Sequence, residues 1–221
     1  MLEERFDTAI PMLEALLEER PGLGRAELYL GMCFQKQKHY GKARPWLEAA
    51  AAKAGAFPKQ ESAWYFLGWC LYNLGDAEGA RAAFEEHLKS APEEGDSHFG
   101  LGLLELEAGR LDEAVERWRR SIELHQSAVE ERGVDRSADI AKAHARIADV
   151  HLLREEWKQA REELVTCVGL YPPHHTAWYK LNQVLLELGE ERAAAEALRQ
   201  HDLWKARRPM TVDELEAAAG G

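Results

Sequence analysis

Histidine and cysteine are the side chains of this sequence best suited to holding a metal or attacking a substrate, and their spacing argues against both. His144 and His151 lie seven apart on one helical face, and His174 and His175 are neighbours just after Pro172 and Pro173. A helix-borne zinc site wants two imidazoles at i, i+4 with a carboxylate nearby, and no such pair occurs among the nine histidines. The first pair reads as satisfied core imidazoles, the second as a solvent-exposed turn. Cys33, Cys70 and Cys167, an odd count at wide spacing, fit neither a disulfide framework nor a zinc site. They read as buried thiols in a reducing compartment. No Gly-x-Ser-x-Gly elbow, P-loop or dinucleotide fingerprint is present, and Gly41-Lys42 lacks the glycine-rich lead that cradles phosphate. Glu3-Glu4 and Glu130-Glu131 read as solvated helix faces. The expectation is a chain without catalytic residues, cofactor or metal.

Recognition chemistry is better represented. Tyr65, Trp69 and Tyr72 fall at i, i+4, i+7 with Phe66 beside them, about a third of a turn from the core face carrying Trp64 and Leu67. Matching stripes are Leu28, Met32 and Gln35, flanked by Tyr29, and Phe99, Leu103 and Leu106. Aromatic side chains are enriched among binding hot spots. These residues either receive an apolar side chain of a partner or pack against the next helix. Farther along, the corresponding faces turn polar: Lys142, Ala145, Arg146 and Asp149, then Tyr179, Lys180 and Gln183. Lys142 and Arg146 form an i, i+4 cationic pair able to grip a carboxylate, or simply to be solvated.

The elements that would position these residues repeat. Ala9, Ala43, Ala80, Ala114, Ala160 and Ala194 are separated by 34, 37, 34, 46 and 34 residues. Leu30-Gly31, Leu67-Gly68, Leu101-Gly102, Ile147-Ala148 and Leu181-Asn182 keep that spacing, and Pro21, Pro92 and Pro172 share the register. In the unit from Glu61 to Glu94, Ala63, Trp64, Leu67, Gly68 and Leu71 make one apolar helical face. Asn73-Leu74-Gly75-Asp76 breaks that helix, with Gly75 suited to a left-handed terminus. A second helix runs through Ala80, Ala83, Phe84 and Leu88 until Pro92. Neither helix can bury its face alone, so stacked neighbours must complete the core.

The segment Trp64-x-x-Leu67-Gly68, then Gly75, Ala80, Phe84 and Pro92, resembles the tetratricopeptide repeat, with Leu71 in place of its tyrosine. The pattern returns in Leu101, Gly102, Gly109, Ala114 and Trp118, and in Trp178, Leu181, Gly189 and Ala194, where Asn182 replaces the glycine. The resemblance implies an all-α, right-handed superhelical solenoid of antiparallel helix pairs whose first helices line a concave groove. It implies a scaffold or adaptor that binds a protein or peptide segment with an apolar anchor. Groove positions would be Leu28, Tyr29, Met32, Tyr65, Phe66, Trp69, Tyr72, Phe99, Leu103, Lys142, Arg146, Tyr179 and Lys180. The alternative is a targeting or regulatory arm of a larger enzyme or of a secretion or assembly machine. Lys142 and Arg146 resemble half of the family's carboxylate clamp, but Tyr65, Trp69 and Gly100 stand where the other half would be.

The expected organisation is a single solenoid over 1–221. A lone second helix (1–23) precedes repeats at 24–60, 61–94, 95–140, 141–174 and 175–208. A capping helix and tail at 209–221 follow, where Thr211-Val212-Asp213-Glu214 reads as a capping box. The third repeat holds 12 extra residues, placed between about Gln126 and Asp139. They read as a long helix to near Arg132 ended by Gly133, then either a surface loop or a partner contact beyond the groove. Pro11 and Pro45 are expected in the first turns of their helices. The exposed solenoid ends allow self-association. With 28 basic and 39 acidic residues, net charge −11, the chain is a poor partner for nucleic acid or anionic lipid. No apolar run is long enough to span a bilayer, and Met1-Leu2-Glu3-Glu4-Arg5 lacks the character of a signal peptide, so the expected location is the cytoplasm.

Overall fold

A computed structural model describes residues 2–53 and 60–207. They form eleven helices with no strand: α1 (Leu2–Glu19), α2 (Gly24–Lys36), α3 (Tyr40–Ala51), α4 (Ser62–Asn73), α5 (Ala77–Ser90), α6 (Gly95–Glu107), α7 (Leu111–Arg132), α8 (Ser137–Leu153), α9 (Trp157–Leu170), α10 (His175–Glu187) and α11 (Glu191–Arg207). The chain is thus all-α and built of antiparallel helix pairs. It divides into two compact units between Leu124 and His125, inside α7. The capping helix and tail expected at 209–221 lie outside the described residues.

In the first unit, α2 packs on α3, α4 on α5, and each pair on the next, with α1 covering α2. The packing rule is a small residue on a first helix facing a large one on the second. Phe84 is fully buried, and its ring lies between Gly68 of its own pair and Gly100 of the next. A Cβ built on either glycine would sit 2.6 Å from that ring. Trp118 is likewise fully buried against Gly102 and donates its indole N–H to Phe99 O at 3.2 Å. Ala43, Ala80 and Ala114 of the register series have no exposed surface. Trp64, assigned by its spacing to the core face, is only half-buried at the rim of the cluster.

Turns follow the sequence closely. Gly75 has φ 78°, a left-handed conformation that costs an L side chain, and ends α4 as expected. Asp76 then caps α5, its carboxylate accepting from Gly79 N at 2.9 Å.

The second unit repeats the scheme with α8 on α9 and α10 on α11. Ala148, Ala160, Leu164, Cys167, Ala177, Val184 and Ala194 are fully buried. Asn182, which takes the place of the repeat glycine, is buried and donates its amide to Ala194 O at 2.9 Å. That bond satisfies the polar group the substitution introduces.

Two sequence expectations change. Pro11 is the tenth residue of α1 and Pro45 the sixth of α3, past the first turns assigned to them. Each therefore removes one interior helical hydrogen bond. The insertion follows the expected long helix: α7 runs 22 residues to Arg132, and only 133–136 separate it from α8. Gly133, φ 63°, ends α7 where expected. Finally, α8 starts at Ser137, ahead of the repeat boundary placed at 141.

Candidate functional site

The aromatic stripe belongs to α4, whose opposite face, Ala63, Leu67, Cys70 and Leu71, is committed to the core. Tyr65, Phe66, Trp69 and Tyr72 are each half-buried, neither core nor free surface. Their rings form two groups, one around Trp69 and one pairing Tyr65 with Phe66. Trp69 lies 5.4 Å from Phe84 and 5.7 Å from Tyr72, both T-shaped, and 6.4 Å from Phe99. Tyr65 meets Phe66 at 5.1 Å. The Tyr72 hydroxyl donates to Glu107 Oε1 at 2.5 Å, and the Gln35 amide donates to Phe66 O at 3.2 Å. The indole N–H of Trp69 is buried with no hydrogen-bond partner among the described residues. An unpaired buried donor is costly, so such groups are few in folded chains.

A cavity of about 330 Å³ opens beside this cluster, between the C-terminal ends of α2 and α4. Phe66 and Trp69 form its apolar wall, while Lys36, Lys38 and Asn73 bring polar groups to it. At the other end of α4 a second cavity of about 290 Å³ shares Tyr65 and Phe66 but is bordered by Glu61, Glu94 and His87.

The other candidates in the first unit fall at different depths. Leu28 and Leu103 are buried, at 4% and 8% exposure, and so belong to the core rather than to a groove surface. First helices approach one another, α2 with α4 and α4 with α6, closely enough to cover aliphatic side chains at these positions. Met32 and Phe99 are half-buried, and Tyr29 is exposed.

In the second unit, Lys142 lies 3.0 Å from Asp139, and Arg146 lies 3.2 Å from Asp149. Lys180 ion-pairs with Asp149 as well. Burial opposes ionisation of Asp139, yet Lys142 and Arg136 hold its carboxyl below the ordinary range. The cationic pair is thus compensated by carboxylates on its own helix. Tyr179 is exposed, its ring 5.3 Å from His201.

Histidines and cysteines take structural places. His144 Nδ1 meets Glu163 at 2.5 Å, and His151 Nδ1 meets Glu156 at 2.5 Å. His174 and His175 are half-buried rather than solvent-exposed, because His174 caps α10 by accepting from Ala177 N at 3.3 Å. Among the described residues no three His, Cys, Asp or Glu side chains converge as a metal site. The three thiols are free and buried, and burial pushes Cys70 up to about 11 and Cys167 to about 12. No helix among the described residues is long and apolar enough to cross a membrane.

Sequence reasoning missed Lys36, Lys38 and Asn73 as cavity residues. One signal was available for Lys38: the register places it where Gly75, Gly109 and Gly189 stand in other repeats. Glu105 was missed too. It is buried at the repeat tyrosine position, where Arg81 at 2.6 Å and Arg110 bind it.

Comparison with known proteins agrees with this architecture. Tetratricopeptide-repeat models match residues 1–56, 47–95 and 74–127. The structure is similar to BtubC (BKLC) from P. vanneervenii, TM-score 0.70 at 15% identity, covering 95% of each chain. YrrB, described as a TPR protein with an unusual peptide-binding site, aligns with TM-score 0.58 at 15% identity over 89% of this chain and 93% of its own. The APC/C hetero-tetramer Cut9-Hcn1 gives TM-score 0.72 at 14% identity, over 96% of this chain but 39% of the other. Repeat register, helix pairing and these matches converge: the chain belongs to the tetratricopeptide-repeat family.

Proposed function

We propose that this repeat module is a non-catalytic scaffold that captures a partner-protein segment on the first helices of its first unit. The segment presents at least one large apolar side chain to the α4 aromatic cluster. The observation that supports this is the half-burial of Tyr65, Phe66, Trp69 and Tyr72 beside a 330 Å³ cavity, although the same helix already has a complete core face. Aromatics left at a rim in this way are the residue type that dominates binding energy when a partner desolvates them. Tyr29 and Met32 on α2 and Phe99 on α6 extend the surface. Three free thiols fit a cytoplasmic setting.

The test is selection from a display library of capped dodecapeptides. Enriched peptides should carry a large apolar residue, and Trp69→Ala and Tyr72→Ala should weaken their binding, roughly 30-fold or more for Trp69. Trp69 also packs on Phe84, so its variant is assayed below its own melting temperature. Tyr72→Ala, which leaves that contact intact, is the independent arm. Glu116→Ala, exposed on α7, is the control. Enrichment indifferent to both aromatic changes would refute the reading.

A further inference from the structure

We propose that the cavity between α2 and α4 selects an acidic side chain next to the partner's apolar anchor, with Lys36 and Lys38 receiving the carboxylate. This rests on the groove reading above and names the partner's chemistry. The apolar wall is Phe66 and Trp69, and the polar side is Lys36, Lys38, Asn73 and Gln35. Gln35 and Asn73 are already engaged, donating to Phe66 O at 3.2 Å and to Trp69 O at 2.7 Å. The two lysines are exposed and make no ion pair among the described residues. That is a local exception. The chain carries net charge −11, and the neighbouring cavity at the far end of α4 is bordered by Glu61 and Glu94. An ammonium pair beside an apolar wall complements a carboxylate adjacent to an apolar side chain, and the aspartate or glutamate of an internal segment supplies both.

The backbone of Lys38 gives a second, independent reason. Lys38 has φ 60°, left-handed, in the turn after α2. The equivalent turns after α4, α6 and α10 use Gly75, Gly109 and Gly189, at φ 78°, 74° and 73°. Glycine takes that conformation without strain, whereas a lysine holds it at a cost. The side chain that this turn retains is the one that lines the cavity. Strain kept at a ligand-sized cavity points to use of the side chain. Glu155, φ 56°, is the only other non-glycine residue with positive φ among the described residues, and it serves as an internal control in the second unit.

The experiment uses the full chain and a randomised library of octapeptides, acetylated and amidated so that every carboxylate comes from a side chain. Enriched peptides should place Asp or Glu within one or two residues of a large apolar residue, and added salt should weaken their binding. Lys36→Gln with Lys38→Gly should weaken it about tenfold. Lys38→Gly alone should not lower the melting temperature and should raise it by about 1–3 °C, as strain relief exceeds the entropy added to the unfolded chain. Glu155→Gly should behave alike in melting and leave binding unchanged. Enrichment of apolar residues without acidic ones, enrichment of basic ones, or binding indifferent to the lysine changes would overturn the inference while leaving the groove reading standing. So would Lys38→Gly lowering the melting temperature with binding unchanged, which would make the lysine structural. Enrichment indifferent to Trp69→Ala and Tyr72→Ala would remove both.

Discussion

His98 occupies on α6 the register position that Trp64 and Trp178 hold in other repeats. It is half-buried, with Nδ1 enclosed and unpartnered among the described residues. Burial, aided by Arg117 and Arg120, lowers its pKa from the ordinary 6.5 to about 4. His87 and His174 are lowered as well, chiefly by burial. Between pH 6.5 and about 4 the unfolded chain therefore holds protons that the folded chain refuses. Stability from these groups is complete above pH 6.5 and is lost as pH falls toward 4. Melting temperature should fall across that window, and His98→Leu should remove part of the fall while the share of His87 and His174 stays. An identical pH profile for His98→Leu would show that the ring takes up its proton alike in the folded and unfolded chains. Spacing alone could place His98 on a packing face. It could not show that no partner would meet its nitrogen, because partners come from other helices.

Among the helices, the joint between consecutive pairs is the unit of stability. Phe84 of α5 touches Gly68 of α4 and Gly100 of α6, so one ring serves two joints. Gly68→Ala would set a methyl about 2.6 Å from a ring with nowhere to retreat. Overpacking of this kind costs about 1–3 kcal/mol, more than the alanine gains in helix propensity. The variant should melt several degrees lower, as a thermal scan would show, and a melting point at or above the parent's would mean that the joint has slack. The joint within a pair was legible in the sequence, since Leu-Gly and the following alanine keep one irregular spacing. The contact of Phe84 with Gly100, outside that series, was not. Nor were the positions of Pro11 and Pro45. Register locates a helix relative to its partner, but the number of turns before the register alanine depends on capping and on what covers the helix end. The length of α7 was legible by contrast: it runs to Arg132, and Gly133 ends it as the sequence reading expected.

For the molecule as a whole, the repeat spacing carried the fold class and the helix pairs, because it is a property of many residues at once. The candidate site was legible only in part. The aromatic cluster stood out as a second stripe on α4, whereas Lys36, Lys38 and Asn73 come together at helix ends that no single-helix periodicity describes. Nearest-neighbour packing also predicts where each unit opens first, because each helix draws support chiefly from its sequence neighbours. Within the first unit α4 is packed by α3 and α5 and touches α2 and α6, while α1 packs on α2. In the second, α9 is packed by α8 and α10, while α11 packs on α10. Amide exchange followed by mass spectrometry should therefore show α1 less protected than α4, and α11 less than α9, by about tenfold or more. That ratio corresponds to roughly 1.4 kcal/mol or more of local opening energy. Equal protection of α1 and α4 would contradict the nearest-neighbour picture. For α11 the capping helix expected from Thr211 onward adds a further outcome. If it covers α11, ending the chain after Arg207 should speed exchange in α11 and leave α9 unchanged, whereas identical exchange with and without those residues would show that they cover nothing.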